Sequence, residues 1–155
     1  MTEAKAKQLE MEQFYDELLK TILADGKVGL VPKLGPKLIE CNYENRSLTL
    51  EFHVSDWMIN PEKILFGGAM VSMLDNTYGF LCHYFAREKF VTTINLNTTF
   101  LKPGMLGDTI HVQAKAESAG RRIVNMSGTV YDVTQDKKLA TSQTSFMILD
   151  KKVNL

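Results

Sequence analysis

Phe66-Gly67-Gly68-Ala69-Met70-Val71-Ser72-Met73-Leu74-Asp75 is the stretch whose reading decides the fold. From Gly68 through Cys82 the only charged residue is Asp75. The rest is Ala, Met, Val, Leu, Tyr and Phe with a few small polar groups. A helix apolar on nearly every face is buried on nearly every face. The pattern therefore predicts a buried helix from about Gly67 to Ala86. An unpaired carboxylate there loses solvation worth roughly several kcal/mol unless it is paired, hydrogen-bonded or neutral. Proteins tolerate such acids at sites that use them. Gly67 and Gly68 open the same helix, where free backbone N–H groups can hold a negative oxygen.

Outward from this helix, residues from about Glu3 to Ala24 read as a surface helix. Leu9, Phe14, Leu18, Leu19, Ile22 and Leu23 recur at helical spacing between Glu and Lys. Residues 26–36, with Gly26, Gly29, Pro32, Gly35 and Pro36, read as a loop. A hairpin follows, Leu38 to Tyr43 and Ser47 to Val54, with Leu48, Leu50, Phe52 and Val54 alternating with polar residues. Beyond the helix, strands are expected at Val91–Leu101, Thr109–Ser118, Ile123–Val133 and Lys138–Leu149, as a four-strand meander. In the first, Ile94, Leu96, Thr98 and Phe100 share one side of a strict alternation. Consecutive strands with short turns argue for an α+β fold, an antiparallel sheet with one covered face. A sheet wrapped around one central helix is the hotdog arrangement. A dimer joined edge to edge would bury more of that helix and protect an edge strand.

The chain has 155 residues, which suits one domain: a hotdog core over 35–149 and an N-terminal helical extension over 1–30. Its 18 basic and 18 acidic side chains cancel, so charge gives no case for nucleic acid as a partner. Cys41 and Cys82 are expected as free buried thiols in a reducing compartment. No apolar run approaches the roughly 20 residues needed to span a bilayer. The N-terminus lacks a signal-peptide core, so a cytoplasmic protein is expected. His53, His83 and His111 have no metal-binding spacing, and no metal is expected.

Asn60, then Phe66-Gly67-Gly68, then Asp75 resembles the hotdog acyl-CoA thioesterases of the phenylacetate (PaaI-like) type. Thr93, Asn97-Thr98-Thr99-Phe100-Leu101-Lys102-Pro103 and Gly107-Asp108 extend the resemblance over about residues 35–149. The resemblance implies hydrolysis of an acyl-CoA thioester to a carboxylic acid and coenzyme A. Coenzyme A is then part of the substrate, and no further cofactor is implied. It also implies a homodimer or dimer of dimers, with Asn60 and Gly67 facing Asp75 and Thr93 of the other protomer. There are departures. Phe66 stands where many members have His, as in the long-chain acyl-CoA hydrolase branch, and Lys63 where glycine is common.

In that chemistry the Gly67 amide, with Gly68 behind it, forms an oxyanion hole. Asp75 is the general base or nucleophile. By resemblance, Asn60 holds the water or the thioester and Thr93 positions the water. Structural readings compete: close helix–sheet packing for the glycines, turn chemistry before Pro61 for Asn60, and β-propensity for Thr93. Asn76 points roughly 100° away from Asp75 and reads as structural. Phe66 belongs to the substrate-binding set. Arg121, Arg122 and Lys102 are candidates for the phosphates of coenzyme A, against a reading as solvated turn charges. Two other functions compete with hydrolysis. One is a non-catalytic hotdog that binds acyl-CoA or fatty acid as sensor or carrier. The other is a hydratase, which needs an acid–base pair that His83 is badly placed to complete.

Overall fold

The computed structural model describes residues 1–152; the last three residues of the expected domain lie outside the described residues. Helix α1 (Glu3–Ile22) starts where the Thr2 side chain accepts a hydrogen bond from the Lys5 amide at 3.3 Å, a helix N-cap. Its Met11, Tyr15 and Leu18 recur at helical spacing and are buried. A short helix α2 (Leu30–Leu34) interrupts the expected loop. Strands β1 (Lys37–Asn42) and β2 (Ser47–His53) form the expected hairpin. Then come the long helix α3 (Gly67–Ala86) and strands β3 (Lys89–Phe100), β4 (Thr109–Ala119), β5 (Ile123–Asp132) and β6 (Lys137–Lys152).

The strands make one antiparallel sheet in the order β1-β2-β4-β5-β6-β3, with α3 packed against it. This is the expected hotdog architecture, with one correction to the strand order. β3 does not open a four-strand meander; it pairs with β6 at the far edge, and β4 pairs with β2. Lys102-Pro103-Gly104 is no tight hairpin. The loop that contains it returns to β2, with the Gly107 amide donating to Val54 O at 2.9 Å and the Leu65 amide to Gly104 O at 2.8 Å.

Register explains why α3 lies where it does. One row of paired positions across the sheet reads Leu38, Leu50, Val112, Val130, Ala140 and Phe100. The neighbouring inward row reads Cys41, Leu48, Ala114, Gly128, Ser142 and Thr98. The small residues in its middle form a trough. Tyr78 of α3 occupies it: a Cβ added at Gly128 would sit 2.8 Å from Tyr78 Cζ and 3.2 Å from Gln113 O. Ser142 and Thr144 face inward too, and their hydroxyls donate to the β3 carbonyls of Asn97 and Asn95 at 2.8 and 2.6 Å.

The extension is fastened by polar contacts as well as by burial. The Tyr15 hydroxyl donates to Phe80 O of α3 at 3.1 Å. Gln8 treats β1 as a neighbouring strand would: its amide nitrogen donates to Cys41 O, and its oxygen accepts from the Tyr43 amide, both at 2.8 Å. That pairing covers one edge of the sheet. The outer edge of β3 has no such cover among the described residues.

Asp108 and Asp132 form a buried acid pair beneath the loop 101–108. Asp132 Oδ1 accepts from the Thr134 and Gln135 amides, and Asp108 Oδ2 from the Met105 amide and the Gln135 side chain. Burial, then the neighbouring Asp108, pushes the Asp132 carboxyl above 3.8. Burial opposes ionisation of Asp108, but hydrogen bonds from Asp132, Met105 and Gln135 outweigh it and hold Asp108 below 3.8. The raised Asp132 therefore contributes stability that is complete below its unfolded value and lost as pH rises through its folded value. The depressed Asp108 contributes stability present above its unfolded value and lost as pH falls through its folded value.

Two stability measurements follow. Gly128→Ala crowds the Tyr78 ring and should lower unfolding free energy by about 1–3 kcal/mol in a urea titration. Adding Tyr78→Phe, which deletes a buried hydroxyl lacking a partner among the described residues, should recover part of that loss. Asp132→Asn keeps the acceptor for both turn amides and removes the charge that neutral pH forces on the pair. Its melting temperature should exceed wild type at pH 7, with the gap closing towards pH 4.

Candidate active site

The Thr93 hydroxyl donates to Asp75 Oδ1 at 2.6 Å, joining α3 to the edge strand β3. A bulge makes this contact possible. The pairing of β3 with β6 shifts between Thr93 and Asn95. The strict alternation expected from the sequence places Ile94 with Leu96, but the bulge turns Ile94 outward, 49% exposed. Thr93 and Leu96 then share the side facing α3. A bulge re-aims side chains in this way because it inserts one unpaired residue into the ladder.

Asp75 itself corrects an expectation. It is exposed, not buried. α3 is buried on most of its circumference but carries one less-covered stripe through Gly68, Ser72, Asp75, Gly79 and His83, spaced three or four residues apart; Gly68 and Asp75 are exposed and the other three half-buried. The stripe runs along the uncovered edge of β3. Asp75 opens into a cleft of ≈ 360 Å³ together with Thr93, Val71, Leu96 and, from α2, Leu30 and Val31.

Gly67 and Gly68 supply the first two amides of α3, and neither donates to a backbone oxygen or a capping side chain among the described residues. Such free amides at a helix N-terminus, reinforced by the helix dipole, attract negative charge. The site is crowded. A Cβ at Gly67 would meet the Phe100 ring at 3.3 Å, and one at Gly68 would meet the Phe66 ring at 2.7 Å. Only glycine lets those rings lie so close. Phe66 is 59% exposed. Lys102 lines a ≈ 330 Å³ cleft with Gly67 and Phe100.

The structure does not gather all the named residues in one place. Asn60 uses its side-chain oxygen within its own loop, accepting from the Glu62 and Ile64 amides at 3.1 and 3.0 Å. That is the turn chemistry expected of it. The same loop holds Lys63 at φ +63°, a left-handed conformation that suits glycine better than lysine. Arg121 lines a ≈ 700 Å³ cleft at the opposite end of α3, with Arg87, Lys89 and Lys152. Arg122 lies 3.7 Å from Asp150. Arg121 has no salt bridge among the described residues, whereas Arg87, Lys89 and Lys152 pair with Glu10, Asp150 and Glu88. His83 stands two turns from Asp75, about 12 Å along the axis, too far for a shared acid–base step. Burial lowers its pKa, which favours neutral imidazole.

One contributor, α2, escaped the sequence. α2 reads as loop because it is short and contains Pro32. Proline is tolerated in a first helical turn, and Gly35 closes the helix at φ +62°. Leu-Val-Pro-Lys-Leu between two glycines is the signal that could have found it. Asn76 lines the Asp75 cleft and is 8% exposed, with no partner for its side-chain oxygen among the described residues.

Comparison with known proteins places this geometry. The Thioesterase superfamily model matches residues 62–138. No curated protein matches the chain. Among solved structures, the Escherichia coli PaaI protein from the phenylacetic acid degradation operon is 16% identical, with a TM-score of 0.78 over 95% of this chain and 99% of that one. A phenylacetic acid degradation-related protein of Ralstonia eutropha is 25% identical, with a TM-score of 0.72 over 86% and 98%. A Streptococcus mutans protein solved with acetyl CoA is 17% identical, with a TM-score of 0.68 over 84% and 99%. No helix among the described residues is long and apolar enough to cross a membrane. With its glycine-opened helix laid across a six-stranded sheet, the chain has the hotdog fold, and its residues 62–138 match the thioesterase superfamily.

Proposed function

We propose that the protein is an acyl-CoA thioesterase whose complete site is shared between two copies of the chain. The observation that carries this is the Thr93–Asp75 hydrogen bond of 2.6 Å at an uncovered sheet edge. It occupies Oδ1 and leaves Oδ2 to accept a proton from water. Asp75 then acts as general base, and the water oxygen attacks the thioester carbon. The carbonyl oxygen gains the charge, and the Gly67 amide receives it. Collapse of the tetrahedral species breaks the C–S bond, the proton held by Asp75 passes to the departing thiolate, and the acid and coenzyme A are released.

The two halves of this machinery are eight residues apart on α3, or about 12 Å along its axis. One carbonyl cannot reach both within one protomer. A two-fold pairing of β3 edges would set the Gly67 amide of one copy against Asp75 of the other, and it would satisfy the open edge of β3. In this reading Asn60 orients the thioester through its side-chain nitrogen, since its oxygen is held by the loop. Lys102 lies beside the Gly67 cleft, and Arg121, with Arg122 near it, takes a coenzyme A phosphate.

The Phe66 and Phe100 rings over the glycines favour a second reading, a hotdog that binds acyl-CoA without turning it over. One assay separates them. Thiol release from acetyl-, octanoyl-, palmitoyl- and phenylacetyl-CoA is followed for wild type and Asp75→Asn. The catalytic reading expects wild-type turnover that falls by roughly 10²–10⁴-fold in kcat, with ligand affinity retained. Binding without turnover in either protein selects the carrier reading. Thr93→Val should lower kcat by roughly 10-fold or more, because it removes a hydrogen bond to an ionised group. An unchanged kcat would reduce Thr93 to a strand residue.

A further inference from the structure

We propose that α2 is the acyl-selecting wall of the Asp75 cleft, with Leu30 and Val31 in contact with a medium-length aliphatic acyl chain. The inference rests on the thioesterase reading and adds to it the class of acyl group and the residues that choose it. The cleft has one charged group, Asp75, with Thr93 bonded to it. Leu30, Val31, Val71 and Leu96 make its apolar wall, and no aromatic ring lines it. Branched aliphatic side chains without a ring suit an aliphatic chain, since an aryl group would find no ring for edge or offset stacking. Its ≈ 360 Å³ is more than twice the roughly 150 Å³ cavity that accepts benzene. An acetyl group would leave most of it unfilled.

α2 is built to hold that wall still. Leu34 is anchored in the core at 3% exposure, whereas Leu30, one turn earlier, is 52% exposed at the cleft rim. On its other side Lys33 Nζ lies 4.6 Å from the Trp57 ring centroid, a cation–π contact. Gly29 and Gly35, at φ +112° and +62°, make the bends that bring five residues down onto the cleft. An apolar side chain held at a rim and left half exposed is placed to meet an apolar ligand.

The test compares kcat/KM for acetyl-, octanoyl- and phenylacetyl-CoA in wild type, Leu30→Ala and Val31→Ala, with sedimentation velocity on each protein. Wild type should favour octanoyl-CoA. The octanoyl-to-acetyl ratio should fall about 10-fold or more in each variant, since a few lost methylenes in an apolar pocket discriminate to that extent. A ratio unchanged in both variants overturns the proposal. So does a wild-type preference for acetyl- or phenylacetyl-CoA. Equal loss on every substrate with dissociation of the assembly also overturns it, because Leu30 and Val31 would then be covered by a second copy. Calorimetric titration with the non-hydrolysable thioether S-octyl-CoA separates this proposal from the activity. If wild type hydrolyses nothing, the thioesterase reading fails. The wall then stands only if Leu30→Ala weakens S-octyl-CoA binding about 10-fold.

Discussion

The packing of α3 into the small-residue trough of the sheet is the contact on which the candidate site depends. Ala114, Gly128 and Ser142 let the helix approach closely enough for Tyr78 to bury its ring between the strands. That seating fixes the rotation of α3. With the Tyr78 side turned inward, the stripe through Gly68, Ser72 and Asp75 faces away from the trough and along β3. A helix turned by one residue, about 100°, would point Asp75 elsewhere and break its bond to Thr93. The seating that stabilises the core thus also aims the acid.

The other half of the placement comes from β3, and here local and non-local information part company. Apart from the short α2, strand and helix boundaries were readable to within a few residues, because alternation and helical periodicity are local. Strand order was not. β3 pairs with β6, some forty residues later, and nothing within β3 names that partner. The orientation of Thr93 was hidden for a related reason. Ile94, Leu96, Thr98 and Phe100 alternate well, and a bulge breaks that phase in the middle. Asp75 taught a third lesson. The apolar composition of α3 correctly marked the central helix, but composition cannot say whether each face is covered by its own sheet or left for something else. Tyr78, Leu81 and Cys82 are covered by this chain, whereas Asp75 and Gly68 are not.

The glycine pair shows sequence and structure giving the same residues two meanings at once. Their amides have no partner among the described residues at a helix N-terminus, as anion chemistry needs, and their missing side chains admit the Phe66 and Phe100 rings. Packing and chemistry do not compete here. Any side chain at Gly68 would displace Phe66, and that ring borders the amides that would receive a developing oxyanion. In the proposed reaction, with Phe66 in place of the common His, the amide dipoles would carry the electrostatic work there without help from a polar ring.

An uncovered twelve-residue edge strand is a hazard in isolation, since its free N–H and C=O groups invite pairing with any other strand. The opposite edge is managed within the chain: α1 lies against β1, and Gln8 imitates a neighbouring strand. Among the described residues the β3 side is left open, and it is the side that carries Asp75, Thr93 and the Gly67 and Gly68 amides. Pairing two such edges about a two-fold axis would remove the hazard and bring together groups that a single α3 holds about 12 Å apart. In that arrangement solvent leaves Asp75 only when the second copy arrives, so the energetic penalty of a desolvated acid falls on association and not on folding.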